Sequence, residues 1–276
     1  MSISHADVFP AGDLVPRDWP HADHYPDLPQ MVIGSPAEHG YQHAVARHSH
    51  QRTQLLYAID GVMRVTTEFG VWMIPPRRAL LIAPGVTHEL TMLSKVSLRS
   101  LYIAPGAIAG FDSGCRLIEM SNLLRELVLA LVAVQVRPAA PTRSQLLAAL
   151  ILAELAEAAT VPIKIPWPRD RRLVAVCTAI LANPGAHRTI DAWAADAGAS
   201  GRTLMRLFPR ETGLPFRHWV QQVHLADAFL RLARGEPVGS IADALGYASA
   251  SAFTAMFRRV LGKTPQDYLN EWRRLV

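Results

Sequence analysis

Three histidines in the first third of the chain could bind a ligand if the fold brings their rings together. His48 and His50 are two residues apart, so on a strand their side chains point to the same face, and His88 follows the turn Pro84-Gly85. Imidazole nitrogens bind divalent ions such as Zn²⁺, Fe²⁺ or Ni²⁺. Three imidazoles that converge inside a small β-barrel therefore predict one of two sites. Either they hold a metal, or they form a polar cluster lining a pocket for an organic ligand.

Other side chains of the same segment are expected to line this pocket. The predicted metal ligands are His48, His50 and His88, and the predicted ligand-binding set is His48, His50, Gln54, Tyr57, Trp72 and His88. The only cofactor that these residues suggest is a divalent metal. No residue set resembles a nucleophile with its base and an orienting partner, so the sequence does not predict an enzyme.

The elements that must position these residues are short β-strands, preceded by an irregular arm over residues 1–30. From Tyr41 to Ile103, β-type segments alternate with turn residues, a series typical of a small sandwich or barrel. The predicted strands are Gln54–Ile59, Val62–Thr67, Val71–Ile74, Ala79–Ala83 and Val96–Ile103. Asp60-Gly61 and Gly70 mark turns between them.

Helical spacing of apolar residues begins after Asp112. Two helices are predicted, Arg116–Val134 and Ser144–Ala158, joined across Pro138–Pro141 into an αα-hairpin. Their wide apolar faces fit two alternatives equally well, a dimer interface or packing on the barrel. A proline-punctuated linker follows over Pro162–Pro168. The predicted domains are a β domain with its arm (1–112), the hairpin (113–160), a linker (161–170) and a C-terminal domain (171–276).

Charge is distributed unevenly along the chain. Residues 1–165 hold 13 Lys and Arg against 14 Asp and Glu, whereas residues 166–276 hold 15 against 9. A polyanionic partner would therefore meet the C-terminal part, although an Arg-rich solvated face explains the charge as well. No apolar run reaches the ~20 residues that span a bilayer, and the first residues lack the pattern of a signal peptide. With two distant cysteines, the sequence predicts a cytoplasmic protein with no membrane partner.

An internal repeat over residues 171–276 is the most informative feature of the sequence. Four pairs of residues lie 49 positions apart: Leu204 and Phe253, Phe208 and Phe257, Gly213 and Gly262, Trp219 and Tyr268. In each copy a short helix ends at Ala197 or Leu245, a glycine forms the turn, and Ser200 or Ser249 caps a second helix. This is the helix-turn-helix pattern, and two copies in fixed register within the basic half predict DNA binding. A longer helix, Phe216–Ala233, connects the copies.

These segments resemble the AraC/XylS regulators over about residues 170–270. The first motif matches along Ala199–Phe208 with Glu211-Thr212-Gly213, and the second along Ile241–Tyr247, Ser249, Phe253, Phe257-Arg258 and Gly262–Pro265, ending at Tyr268. The front half is similar to the family's cupin-type sensor, through His48-Ser49-His50, Gly61, Pro84-Gly85 and His88. Metal-binding cupins carry Glu where this chain has Gln54, which weakens a metal site. A cupin enzyme such as a dioxygenase is the rival function, but it leaves the 49-residue repeat unexplained.

The resemblance implies an α+β protein, with a cupin-like β-barrel and αα-hairpin followed by an all-α domain containing two helix-turn-helix motifs. It implies double-stranded DNA, a small-molecule or metal effector, RNA polymerase and a second copy of the chain as partners. The predicted DNA-binding residues are Ser200, Gly201, Arg202, Thr203, Met205, Arg206, Arg210, Ser249, Ala250, Ser251, Thr254, Ala255, Arg258, Arg259 and Lys263.

The two recognition helices differ in the chemistry of their predicted outward positions. Gly201, Arg202, Met205 and Arg206 are outward in the first, and an Arg fork can bond guanine O6 and N7 bidentately or contact phosphate alone. The outward positions of the second, Ala250, Ser251, Thr254 and Ala255, are small and suit docking more than base discrimination. Arg258, Arg259 and Lys263 are either phosphate contacts or a solvated face. His224 stands in the connecting helix where the family commonly has Arg, which puts a contact from that position in doubt.

Overall fold

The computed structural model describes residues 30–136, 141–161, 163–186 and 188–273. The predicted arm at residues 1–29 and the centre of the predicted Pro138–Pro141 connection lie outside these ranges. Most of the described chain divides into two compact units. The first contains residues 30–65 and 74–161, and the second contains residues 66–73 and 163–271. Among the described residues, no helix is long and apolar enough to cross a membrane.

Nine strands form two antiparallel sheets in the N-terminal part of the described chain. They are β1 (Val32–His39), β2 (Ala44–His48), β3 (Thr53–Asp60), β4 (Met63–Thr67), β5 (Gly70–Ile74), β6 (Arg78–Ile82), β7 (His88–Met92), β8 (Val96–Ile103) and β9 (Cys115–Glu119). One sheet has the order β1-β8-β3-β6-β9 and the other β2-β7-β4-β5. This arrangement agrees with the predicted cupin-like β domain.

The central strands are buried on both faces, which explains their nearly continuous apolar sequence. In β3, residues Thr53 to Tyr57 are all at most 4% exposed. The strand pairs with β6 on one side and β8 on the other. Apolar residues on both faces are expected where a strand is covered from two sides.

The prediction of a helix starting at Arg116 is wrong at its beginning. Residues Cys115–Glu119 form β9, which pairs with β6 from Cys115 opposite Ile82 to Glu119 opposite Arg78. The periodicity of a short apolar run does not distinguish a strand from a helix. Here the segment forms a strand because its backbone pairs with β6. The helix begins only at Asn122. Strands β1, β2 and β7 were not individually predicted from the sequence.

Two helices follow the sheets, α1 (Asn122–Val136) and α2 (Pro141–Glu157). They pack against each other with α1 also covering β1 and β8. Leu124, Val128 and Leu131 are at most 1% exposed and form the inner face of α1. On α2, by contrast, Leu146 and Leu150 are 62% and 51% exposed. They lie four positions apart and therefore on the same face of the helix.

Seven helices make up the C-terminal part of the described chain. They are α3 (Arg171–Ala182), α4 (Ile190–Asp196), α5 (Gly201–Thr212), α6 (Phe216–Ala233), α7 (Val238–Ala244), α8 (Ala250–Leu261) and α9 (Pro265–Arg273). The bounds of the predicted connecting helix, Phe216–Ala233, are confirmed. Both predicted helix-turn-helix motifs are confirmed as well, α4–α5 and α7–α8.

The segment predicted as a linker contains an ordered bridge. Ile165 exchanges both backbone hydrogen bonds with Val71, at 2.9 and 3.0 Å, and its side chain is 1% exposed. The following Pro166 accepts a hydrogen bond from the Trp219 indole N–H at 2.8 Å. Backbone and side-chain bonds therefore fix this part of the linker within the second unit.

Candidate DNA-binding surface and ligand pocket

The two helix-turn-helix motifs share a left-handed glycine in the turn and a serine N-cap, although the second turn is one residue longer. Gly198 and Gly246 have φ values of +64° and +73°, a left-handed conformation in which glycine meets no Cβ penalty. The Ser200 hydroxyl accepts a hydrogen bond from the Thr203 N–H at 3.2 Å, and the Ser249 hydroxyl accepts one from the Ala252 N–H at 3.1 Å. These serines are the caps that the sequence predicts, so α5 and α8 begin with the same kind of cap.

Helix α5 presents long side chains outward. Arg202, Met205 and Arg206 are exposed, Met205 to 56%. Neither arginine forms an ion pair with another described residue, so both guanidinium groups keep their hydrogen-bond donors available. Leu204, Leu207 and Phe208 face the opposite way and are at most 2% exposed. The helix is therefore strongly amphipathic, with an apolar inner face and a cationic outer face.

The prediction that Gly201 is an outward contact residue is wrong. Gly201 is buried, and a Cβ at this position would lie 1.9 Å from Asp191 Oδ1 of α4. The glycine lets the start of α5 approach α4 closely. Thr203, also in the predicted set, is half-buried, and its hydroxyl lies 2.9 Å from that of Ser200, so it extends the cap.

Helix α8 presents small side chains outward. Ala250, Ser251 and Ala255 are exposed and Thr254 is half-buried. Together with Arg258, Arg259 and Thr264 they line an open cleft of about 710 Å³. No side chain at the first four positions is long enough for a bidentate contact to a base, whereas the two arginines at the end of the cleft can reach phosphate oxygens.

The remaining predicted contact residues lie at the ends of α5 and α8. Arg258 and Arg259 are exposed and make no ion pair with another described residue. Arg210 is exposed and lies 3.4 Å from a carboxylate oxygen of Glu211. Lys263 is half-buried beyond the C-cap of α8. The positive charges therefore lie on the solvent side of both motifs.

The three predicted histidines do converge. Their ring nitrogens lie within 4.8 Å of one another, and the ring centroids of His48 and His88 are 4.3 Å apart. Antiparallel pairing places His48 of β2 directly opposite His88 of β7. His50, just after β2, lies with its centroid 4.8 Å from His48 and 5.3 Å from His88.

Backbone carbonyls orient two of the rings. Nδ1 of His48 lies 2.6 Å from the Ala46 oxygen, and Nδ1 of His88 lies 3.0 Å from the Val86 oxygen. Because a carbonyl can only accept, each Nδ1 carries a proton, and in a neutral ring Nε2 is then the acceptor. Burial lowers the pKa of His88 to about 4, so this ring is uncharged at neutral pH. A neutral ring held through Nδ1 is the usual form of a metal-binding histidine.

Two buried polar atoms at the cluster lack a hydrogen-bond partner among the described residues. They are Nε2 of His88 and Oε1 of Gln54, whose residues are 1% and 4% exposed. Burying a polar atom without a partner costs free energy, and such an atom in a native fold indicates a missing ligand or water. Nε2 can donate electrons to a cation, and Oε1 can bind a cation or a donor group.

Tyr102 belongs to this cluster, although the sequence did not predict it as a pocket residue. Its hydroxyl accepts a hydrogen bond from Gln54 Nε2 at 3.2 Å, and its ring meets that of His50 edge-on with centroids 5.1 Å apart. Tyr102 is brought to the cluster by the pairing of β8 with β3, in which it lies directly opposite Gln54. That register was not known from the sequence.

Two other predicted pocket residues have different surroundings. Tyr57 lies three residues after Gln54, so strand alternation places it on the opposite face of β3. Burial raises the pKa of its hydroxyl, and the nearby Arg125 of α1 opposes that rise. The prediction that Tyr57 joins the histidines is therefore wrong. Trp72 on β5 is 2% exposed, and the Lys164 ammonium lies 5.6 Å from its ring centroid.

Comparison with known protein families finds two matches along the chain. Residues 36–161 match the AraC-like ligand binding domain, which contains the histidine cluster. Residues 193–271 match a helix-turn-helix domain, which contains α4 to α9 up to residue 271. The two matches follow the same order as the β domain and the helical domain.

Two individual relatives, both named as transcriptional regulators, agree with these family matches. The HTH-type transcriptional regulator NimR of Escherichia coli is 32% identical over 222 residues, which are 80% of this chain and 81% of that protein. The HTH-type transcriptional regulator RipA of Corynebacterium glutamicum is 32% identical over 103 residues, 37% of this chain and 31% of its own. Among solved structures, ToxT of Vibrio cholerae matches 86% of this chain and 94% of its own, with 12% identity and a TM-score of 0.36.

Proposed function

Because this chain belongs to the AraC-type family of DNA-binding transcriptional regulators, we propose that its two helix-turn-helix motifs enter successive major grooves on one face of a duplex. The observation that carries the proposal is the shared geometry of the motifs. In each motif a left-handed glycine and a serine cap precede the second helix, although the second turn is one residue longer, and both α5 and α8 expose arginine to solvent. Grooves on one face of B-DNA repeat about every 34 Å, so two helices on one scaffold can occupy neighbouring grooves.

The two motifs divide the work of binding. Arg202 and Arg206 of α5 are exposed one helical turn apart and can contact base edges, Arg206 through a bidentate bond to guanine. In α8, small side chains allow close docking in the groove, and Arg258 and Arg259 neutralise phosphates. Sequence discrimination therefore comes mainly from α5, and sequence-independent affinity comes largely from α8.

The protein acts as a homodimer that contacts RNA polymerase at its promoters, as family membership suggests. The exposed pair Leu146 and Leu150 on one face of α2 supports dimerisation through the hairpin. Exposed leucines four positions apart are typical of a helix face that packs against another subunit.

The histidine cluster is the effector site of this regulator, and its occupant is a divalent transition metal. The residues fit such an ion, because His48, His50 and His88 supply imidazole nitrogens and Gln54 supplies a buried amide oxygen. Nitrogens around a tetrahedral Zn²⁺ lie about 3.4 Å apart at Zn–N bonds of 2.0–2.1 Å. One nitrogen from each ring, now within 4.8 Å of the others, would move closer around the ion, which would then crosslink β2 to β7.

Footprinting of the full-length protein tests the DNA-binding proposal. A duplex selected from a random library by the purified protein should be protected over about two helical turns per monomer and about four per dimer. The double variant L146E/L150E should be monomeric in analytical ultracentrifugation and protect the shorter length. Protection of a single major groove per monomer would overturn the two-motif proposal.

Elemental analysis of the purified protein tests the metal proposal. The wild-type chain should carry about one transition-metal ion per monomer, and the triple variant H48A/H50A/H88A should carry none. The matched control is His218→Ala, which removes an exposed histidine of α6 and should retain the metal. Metal-free protein that responds to an organic effector through the same pocket would overturn the metal proposal and leave DNA binding unaffected.

A further inference from the structure

One side chain of the connecting helix contacts both the loop that leads into the first helix-turn-helix motif and the turn of the second. His224 lies near the middle of α6, with Nε2 3.1 Å from the carbonyl oxygen of Pro184 and Nδ1 3.1 Å from the hydroxyl of Tyr247. Pro184 precedes α4 of the first motif, and Tyr247 lies in the turn between α7 and α8 of the second. The histidine thus forms a contact that the sequence had put in doubt.

The partners of His224 determine how its protons are placed. The Pro184 carbonyl can only accept, so Nε2 carries a proton and donates it. In the neutral ring Nδ1 is then an acceptor, and the Tyr247 hydroxyl donates to it. Burial raises the pKa of Tyr247 to about 12, so this hydroxyl keeps its proton at neutral pH. Both hydrogen bonds are satisfied by a single tautomer.

A second close approach lies beside His224. A Cβ at Gly185 would lie 2.0 Å from the carbonyl oxygen of Ala244, in the last turn of α7. Gly185 is not in the left-handed φ range, so here glycine is required for space and not for backbone conformation. The loop after α3 therefore touches the backbone of the second motif directly.

These contacts continue into the second recognition helix. The ring of Tyr247 meets that of Phe253 edge-on, with centroids 5.4 Å apart, and Phe253 anchors the start of α8 at 0% exposure. The same region borders an open cleft of about 260 Å³ lined by Trp193 of the first motif and Tyr247 of the second, with Pro184 and His224 between them. The hydrogen bonds and the glycine contact therefore hold the loop before the first motif directly against the second motif.

We propose that Pro184, Gly185, His224, Ala244 and Tyr247 form a joint that sets the separation and orientation of α5 and α8. His224 and Gly185 are positioning residues, since they touch no DNA and act through the helices that do. The inference rests on the proposed occupation of two successive grooves. A fixed joint keeps both helices preorganised for one spacing of their half-motifs, which raises affinity for that spacing and penalises others.

The test measures the spacing dependence of DNA binding with the full-length protein. Duplexes carry the two half-motifs selected by the wild-type chain, at the selected spacing and with one base pair inserted or deleted between them. One base pair rotates a half-motif by about 34–36°, so wild-type affinity should fall at least about tenfold. For His224→Ala, affinity at the selected spacing should fall about tenfold, and the penalty for a changed spacing should shrink to about threefold or less.

Controls separate positioning from a general loss of structure. His218→Ala makes the same change at an exposed position of α6 and should behave as wild type. Tyr247→Phe keeps the ring and removes one hydrogen bond, so its spacing penalty should lie between the two. If His224→Ala does not fold, the spacing penalty of Tyr247→Phe alone tests the joint. A folded variant with the full wild-type spacing penalty would overturn the joint, whereas a wild-type chain indifferent to spacing would overturn two-groove binding and the joint with it.

Gly185 gives an independent test on the same duplexes. Gly185→Ala should push the loop away from Ala244, lowering affinity at the selected spacing by about tenfold or more and changing the preferred spacing. The matched control is Gly239→Ala, where the added Cβ meets nothing within 4 Å and binding should be unchanged. Equal binding by Gly185→Ala and wild type at every spacing would show that the close contact positions nothing.

Discussion

The two recognition helices are built alike and carry different chemistry. Helices α5 and α8 are both twelve residues long, begin at a serine cap and end at a left-handed glycine, with φ of +72° at Gly213 and +73° at Gly262. Yet α5 exposes Arg202 and Arg206, whereas the corresponding part of α8 exposes alanine and serine. The repeat therefore preserves the scaffold of the two helices, while their outward residues differ.

The largest expected effect concerns the shared scaffold and should be equal in the two motifs. Phe208 and Phe257 occupy equivalent positions and are both 0% exposed. Phe208→Ala and Phe257→Ala should each lower the free energy of unfolding by roughly 3–5 kcal/mol, because each leaves a large cavity. Chemical denaturation followed by tryptophan fluorescence measures this. A cost for Phe257→Ala below half that for Phe208→Ala would show that the second motif is packed less well.

The next effect should distinguish the outer faces. Arg206→Ala is expected to weaken binding to the selected duplex by roughly 1–3 kcal/mol and to relax the preference at one base position. The matched change in α8, Ala255→Gly, removes no donor and should alter base preference little. Competition binding with single-base variants of the duplex measures both. A uniform loss over all sequences would assign Arg206 to phosphate.

A smaller effect is expected at the two caps. Ser200→Ala and Ser249→Ala each remove a hydroxyl that accepts a backbone N–H, which stabilises a helix by about 1 kcal/mol. The two variants should lose similar amounts of stability, seen as similar decreases in the unfolding midpoint. Because the Ser200 hydroxyl also contacts Thr203, a somewhat larger loss in α5 is consistent with the structure. No loss at either position would contradict the capping geometry.

The smallest effect at moderate salt should come from Arg259. Arg259→Ala removes one exposed charge near the C-terminal end of α8 and should weaken all sequences alike. The slope of log affinity against log salt concentration should become shallower by about one, as one phosphate contact is lost. Titrations at several salt concentrations give this slope. A change in base preference would instead assign Arg259 to base recognition.

The sequence predicted the helical half of the fold better than the β half. Repeated residues at 49-residue spacing located both motifs, and the apolar pattern of Phe216–Ala233 gave the bounds of α6. These features are local, because caps, turns and helical periodicity lie within a few residues of each other. Strand β9 was missed because its assignment depends on a partner, β6, that is more than 30 residues away.

The site residues, too, were predictable where local spacing decides their position and not where contacts between distant segments decide it. The spacing of His48 and His50 indicated a shared face, and the resemblance to cupin-type sensors indicated His88 as a third member of the cluster. Tyr102 was missed because its place opposite Gln54 follows from sheet register alone. Gly201 was assigned outward by helix counting, which does not include the close approach of Asp191 from a neighbouring helix.

The small outward side chains of α8 have a consequence for how this regulator's targets evolve. If α8 specifies few bases, aligned natural targets will give a lopsided sequence logo, with most information in the half-motif bound by α5. A genome search that weights both halves equally will then discard true targets. Because Ala250, Ser251 and Ala255 are exposed and lie outside the core, they are also open to substitution. New target specificity can therefore arise at these three positions with little loss of stability.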